Sequence, residues 1–144
     1  AVILMHMRGT PIDMQAGGLT YVSLWEDILR FLEERIAAAK KEGIEERQIV
    51  VDPGLGFGKS ADDNLKILRE LRECRVLGVP VLVGPSRKAF IGRITGGAPA
   101  ERTEGTAAAV TAAIMNGADL VRVHDVGTMK KAAAVADAIK GRGQ

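Results

Sequence analysis

Four apolar runs recur along the chain: Ala1–Met7, Ile49–Asp52, Val79–Val83 and Leu120–Val123. They are rich in Val, Ile and Leu, and continuous rather than alternating. That pattern marks strands buried on both faces, as in parallel sheets. Helical periodicity fills the gaps. Trp25, Ile28, Leu29, Leu32 and Ile36 share one face, with Ser23 and Glu26 spaced as a capping box and Gly43 as a stop. A second helix is expected over Asp62–Arg75, with Leu65, Leu68 and Leu71 on one face and Gly78 after it. A short one is expected over Lys88–Ile94, an alanine-rich one over Glu104–Asn116, and a last one over Thr128–Lys140. Strands alternating with helices imply an α/β fold with right-handed crossovers. A (β/α)8 barrel spends about 31 residues per unit, so about four units fit, half a barrel. An open doubly wound sheet has the same periodicity, and the pattern alone does not choose.

Composition narrows the function. The 144 residues suit one domain, 1–144. The net charge of +2 and 3% aromatic content do not suggest nucleic-acid binding. No apolar run reaches the ~18–20 residues of a membrane span. One cysteine, Cys74, fits a reducing compartment, so a cytoplasmic protein is expected. The sequence starts at Ala1 directly in an apolar stretch, without an initiator Met or a charged leader. It is expected to be part of something longer, incomplete at its N-terminus.

Polar residues follow every strand: His6, Arg8 and Gly9; Asp52; Ser86, Arg87 and Lys88; Arg122, His124 and Asp125. Ligands of parallel α/β proteins sit at the carboxyl ends of strands, so these groups are expected to converge. Asp52-Pro53-Gly54-Leu55-Gly56-Phe57-Gly58-Lys59 is too short for a Walker loop and fails the dinucleotide pattern. Its glycines are expected to make a tight turn and approach a flat ligand. Asp52 either points at that ligand, caps the next helix or pairs with a lysine. Gly84-Pro85-Ser86-Arg87-Lys88 places a hydroxyl and two cations at a strand-to-helix turn, where an anion or carboxylate is favoured over a simple cap. Arg122 and His124 share one side of a strand and suit a diphosphate; Asp125 is expected to hold the histidine tautomer or cap the following helix. His6, with no second ligand at metal spacing, is read as structural, and Cys74 as inert.

Together, His6-Met7-Arg8-Gly9, the Asp52–Lys59 segment, Gly84–Lys88 and Arg122-Val123-His124-Asp125-Val126 resemble dihydropteroate synthase, in order and over the whole chain. The resemblance implies a (β/α)8 TIM barrel of which these are the fifth to eighth strands. It implies condensation of 6-hydroxymethyl-7,8-dihydropterin diphosphate with 4-aminobenzoate, giving 7,8-dihydropteroate and diphosphate, with Mg2+. The implied catalytic residues are Asp52, Lys88, Arg122 and His124. Met7, Asp52, Phe57, Gly84 and Lys88 would meet the pterin, and Phe57, Ser86 and Arg87 the aminobenzoate. Arg122 and His124 would hold the diphosphate. No metal ligand is expected in this chain, because the family's metal-holding Asn lies in its first four strands. The family also implies sulfonamide competition and a homodimer. Two other readings remain: a pterin-binding methyltransferase with a corrinoid partner, and a non-catalytic, self-associating half-barrel. The isolated chain is expected to have little or no synthase activity.

Overall fold

The computed structural model describes residues 1–9 and 21–141. Its strands are β1 (Val2–Met5), β2 (Ile49–Asp52), β3 (Leu82–Val83) and β4 (Leu120–Val121). β1 pairs in parallel with β2, placing Met5 opposite Asp52. β3 pairs in parallel with β4, and a parallel bridge from Val51 to Val81 joins the two pairs. The spatial order is therefore β1-β2-β3-β4, every strand ends at the same edge, and β2 fills its apolar run while the other three strands are shorter than theirs.

Five α-helices connect them. α1 (Leu24–Lys41) carries Glu26 and Asp27 in its first turn and Lys40 and Lys41 in its last, both favourable to the helix dipole. It buries Ile28 and Leu32 completely. Ser23 is the N-cap, but its side chain makes no capping bond, so the expected Ser23–Glu26 box does not form. α2 (Ala61–Arg69) is capped by Ser60 and Asp63 instead, each side chain bonded to the other's backbone N–H. The expected helix to Arg75 breaks at Glu70 and continues as a tight 3-10 segment, Leu71–Leu77. That tightening keeps Leu71 and Cys74 buried while the Glu70 carboxylate accepts the Trp25 indole N–H at 2.9 Å. α3 (Ala89–Thr95), α4 (Thr103–Met115) and α5 (Val126–Ile139) follow.

The main core lies between the sheet and α1–α4, around Ile28, Leu32, Val51, Ile67, Leu71 and Val81. Each fully buried aliphatic side chain contributes roughly 1.5–3 kcal/mol. A smaller cluster joins α4 to α5 through Val110, Ile114, Met129 and Ala136. Burial pushes the Cys74 thiol up to about 12, so it stays protonated. Among the described residues no helix is long and apolar enough to cross a membrane.

Candidate functional site

The carboxyl end of β2 supplies the most deeply buried charge among the described residues. The Asp52 side chain is 3% exposed. Its Oδ1 accepts the Gly54 N–H at 2.8 Å, and its Oδ2 stands 3.6 Å from Arg122 Nη1 on β4's extension. Burial pushes this carboxyl above the usual range; the Gly54 N–H, Arg122, Lys59 and Lys88 oppose that shift. Of the readings open to Asp52, helix capping is not what it does, since Ser60 and Asp63 cap α2.

The loop after Asp52 folds back on the chain itself. Gly54 has φ +73°, and a Cβ there would sit 1.8 Å from the His6 carbonyl oxygen. That absent Cβ lets the turn pack against the chain just after β1. Two buried side chains hold the loop from beneath. Asn64 Oδ1 accepts the Gly56 N–H at 2.7 Å, and its amide donates to Ser60 O. Lys59 Nζ lies 2.9 Å from His6 Nδ1 and donates to Phe57 O at 3.1 Å. Burial lowers Lys59 to about 7, and burial with Lys59 beside it lowers His6 to about 4. His6, edge-on to Phe31 at 5.2 Å, is a structural residue.

The turn after β3 faces this loop. Lys88 Nζ hangs 4.3 Å from the Phe57 ring centroid, a cation–π contact across the cavity wall. Its burial lowers its pKa, while Asp52 raises it. Ser86 Oγ accepts the His124 backbone N–H and lies 2.9 Å from His124 Nδ1. That contact orients the imidazole, whichever of the two groups donates. The histidine is thus oriented by Ser86 and not by Asp125. Asp125 sits at the N-cap of α5 without a side-chain capping bond, and both its oxygens accept Arg87 Nη2, at 3.0 and 3.1 Å.

These elements enclose a cavity of about 430 Å³ lined by Asp52, Phe57, Gly84, Ser86, Lys88, Arg122 and His124, with Leu55 and Val123. Two expected site residues lie elsewhere. Met7 lines a separate depression beside Arg8, Tyr21 and Phe31. Arg87 turns away to Asp125. Lys59 closes the Asp52–Lys59 motif, which assigns it no role, and Asn64 lies outside every motif; only the loop's glycines hinted that something must hold it. Chemically, the cavity offers a buried carboxylate with a free oxygen face for a flat N–H-rich ring, an aromatic wall, and three cationic or N–H donors for an anion.

Residues 1–124 match a family described as pterin binding enzyme. The chain is 47% identical over 140 residues to the dihydropteroate synthase of Synechocystis sp., covering 96% of this chain and 48% of that protein. Among solved structures it is similar to the Yersinia pestis dihydropteroate synthase in complex with a sulfonamide drug, with TM-score 0.93 and 37% identity, covering 96% of this chain and 50% of that one. It is also similar to the Xanthomonas albilineans dihydropteroate synthase in complex with 7,8-dihydropteroate, with TM-score 0.85 and 42% identity, covering 96% and 50%. The chain spans about half the length of the relatives it matches.

Proposed function

The chain belongs to the pterin-binding enzyme family, and from that premise we propose that it supplies the diphosphate-holding half of a dihydropteroate synthase. Its parallel strands would be the fifth to eighth of a (β/α)8 barrel. The observation that carries this reading is the single cavity shared by Asp52, Lys88, Arg122 and His124. Departure of diphosphate leaves a pterin methylene cation and an anion. Buried Asp52 favours the first, and Arg122 with the His124 imidazole favours the second. Preset charges of this kind are usually the largest catalytic contribution. Phe57 gives the pterin and aminobenzoate rings a flat wall, Gly84 leaves room beside them, and Lys88 reaches the pterin's polar edge. Met7 would bear on the pterin from β1's side. Ser86 and Arg87, expected at the aminobenzoate carboxylate, act in this proposal through His124 and Asp125. Arg122 and His124 on the wall weigh against methyl transfer, which has no diphosphate to hold.

Magnesium belongs to the proposal for the whole enzyme. Among the described residues no cluster of three or more His, Cys, Asp or Glu is placed to hold a metal, so no step here passes through it. A cytoplasmic homodimer and sulfonamide competition at the Phe57 wall complete the reading. The test replaces the matched half of the Synechocystis relative with this chain and assays dihydropteroate formation. Activity is expected, and Asp52→Asn should lower it by about a hundredfold or more. A folded chimera that binds the pterin diphosphate no better than its Asp52→Asn variant would overturn the proposal.

A further inference from the structure

The turn that carries Ser86 and Lys88 into the cavity contains the only non-glycine left-handed residue among those described, Arg87, at φ 59°. A side chain in that conformation is strained, and it persists only where the surroundings over-determine it. The Arg87 backbone N–H donates to Thr106 Oγ1 at 3.1 Å, and Thr106 is fully buried. The Arg102 guanidinium donates to Arg87 O at 3.0 Å and to Lys88 O at 3.3 Å. Its remaining donors reach Gly97 O at 3.1 and 3.3 Å. Arg102 can lie there because α3 has no side chain at Gly92: a Cβ would come within 2.5 Å of the guanidinium. So the strained residue's own N–H and carbonyl, and the carbonyl of Lys88 after it, are all taken by the start of α4, outside the cavity.

We propose that Arg102 and Thr106 are positioning residues that hold Arg87 left-handed, so that Ser86 reaches His124 and Lys88 reaches Phe57 from one turn. The clamp stands on backbone geometry and gains its catalytic meaning from the reading of the cavity given above. Arg102 touches no substrate; it acts through the turn.

The two claims separate in solution. Amide NMR of the 144-residue chain reads the left-handed backbone at residue 87 from its strong intraresidue N–H to Hα contact, and the Lys88–Phe57 contact from the ring-shifted lysine methylenes. Arg102→Met and Thr106→Val are each expected to shift the left-handed population at 87 by on the order of tenfold or more. Trp25, on the far side of the core, should keep its indole resonance. Gly92→Ala is the sharper variant. It favours helix in α3 by removing a glycine, yet places a methyl where the guanidinium lies. A merely structural arginine predicts a change in stability with residue 87 unchanged; the clamp predicts loss of the left-handed signal and of the Lys88–Phe57 contact. Arg87→Gly, which is at ease at positive φ, should restore the Lys88–Phe57 contact in the Arg102→Met background. A left-handed residue 87 in both Arg102→Met and Gly92→Ala, or its absence from the unmutated chain, would overturn the clamp. Neither result bears on whether the cavity binds a pterin.

Discussion

Lys59 and His6 form the least conventional contact of the site, two basic side chains meeting nitrogen to nitrogen in a buried place. A neutral His6 Nδ1 accepts from Lys59 whether the amine is charged or not, so the contact survives deprotonation. Its pH dependence has a definite sign. The folded chain releases the Lys59 proton at about 7, the unfolded chain near 10.5. Between those values unfolding takes up a proton, so stability rises with pH across that window. His6 adds a lower arm of the same sign, between about 4 and 6.5. Urea titrations of the chain and of Lys59→Met should show the upper arm in the first and its absence in the second. An unchanged slope would mean that Lys59 titrates normally. Asp52, Lys88, Arg122 and His124 were legible because each follows a strand and all strands end at one edge. Lys59, Asn64 and Arg102 were not, because a partner across the fold leaves no mark on local spacing. Ser86 was found, but its imidazole partner lies in another motif, so its bond was not.

At the scale of elements, the strand and helix order could be read directly, since burial on both faces imposes continuous apolar runs. The break after α2 could not. Leu71 and Cys74 continue the apolar periodicity, and neither Gly nor Pro marks Glu70; the tightening answers to the Trp25–Glu70 bond and to core packing. The Asp52–Lys59 loop shows how close packing is dictated by absent side chains. Gly54 and Gly78 share a left-handed φ, +73° and +71°, yet only Gly54 faces a backbone atom within contact distance. Alanine at Gly78 should cost about 1 kcal/mol, the conformational share alone. At Gly54 it should cost about 3 kcal/mol or more, because the His6 carbonyl must move as well. Chemical denaturation of the two variants measures the difference. Equal costs would show that the loop yields freely and does not fix Phe57.

For the molecule as a whole, the four strands form a row whose outer members, β1 and β4, pair on one side only among the described residues. Ile3 on β1 and Leu120 on β4 are 46% and 43% exposed. Unpaired strand edges with apolar residues invite association. The isolated chain should therefore sediment as a dimer or larger species, and a stable monomer at micromolar concentration would argue that these edges are benign.

The bonds that finish that wall run between early and late parts of the chain: Asp52 to Arg122, and Ser86 to His124. Their order has a consequence for synthesis. A growing chain makes β2 and the turn after β3 first and folds from its N-terminal side onward. Until residues 122 to 124 are made, Asp52 is a carboxylate without its arginine and Ser86 a hydroxyl without its imidazole. A nascent chain halted after α4 would hold most of the hydrophobic core and yet lack Arg122 and His124 on the cavity wall. Within this stretch of chain, the cavity wall is completed last, by the residues that follow β4.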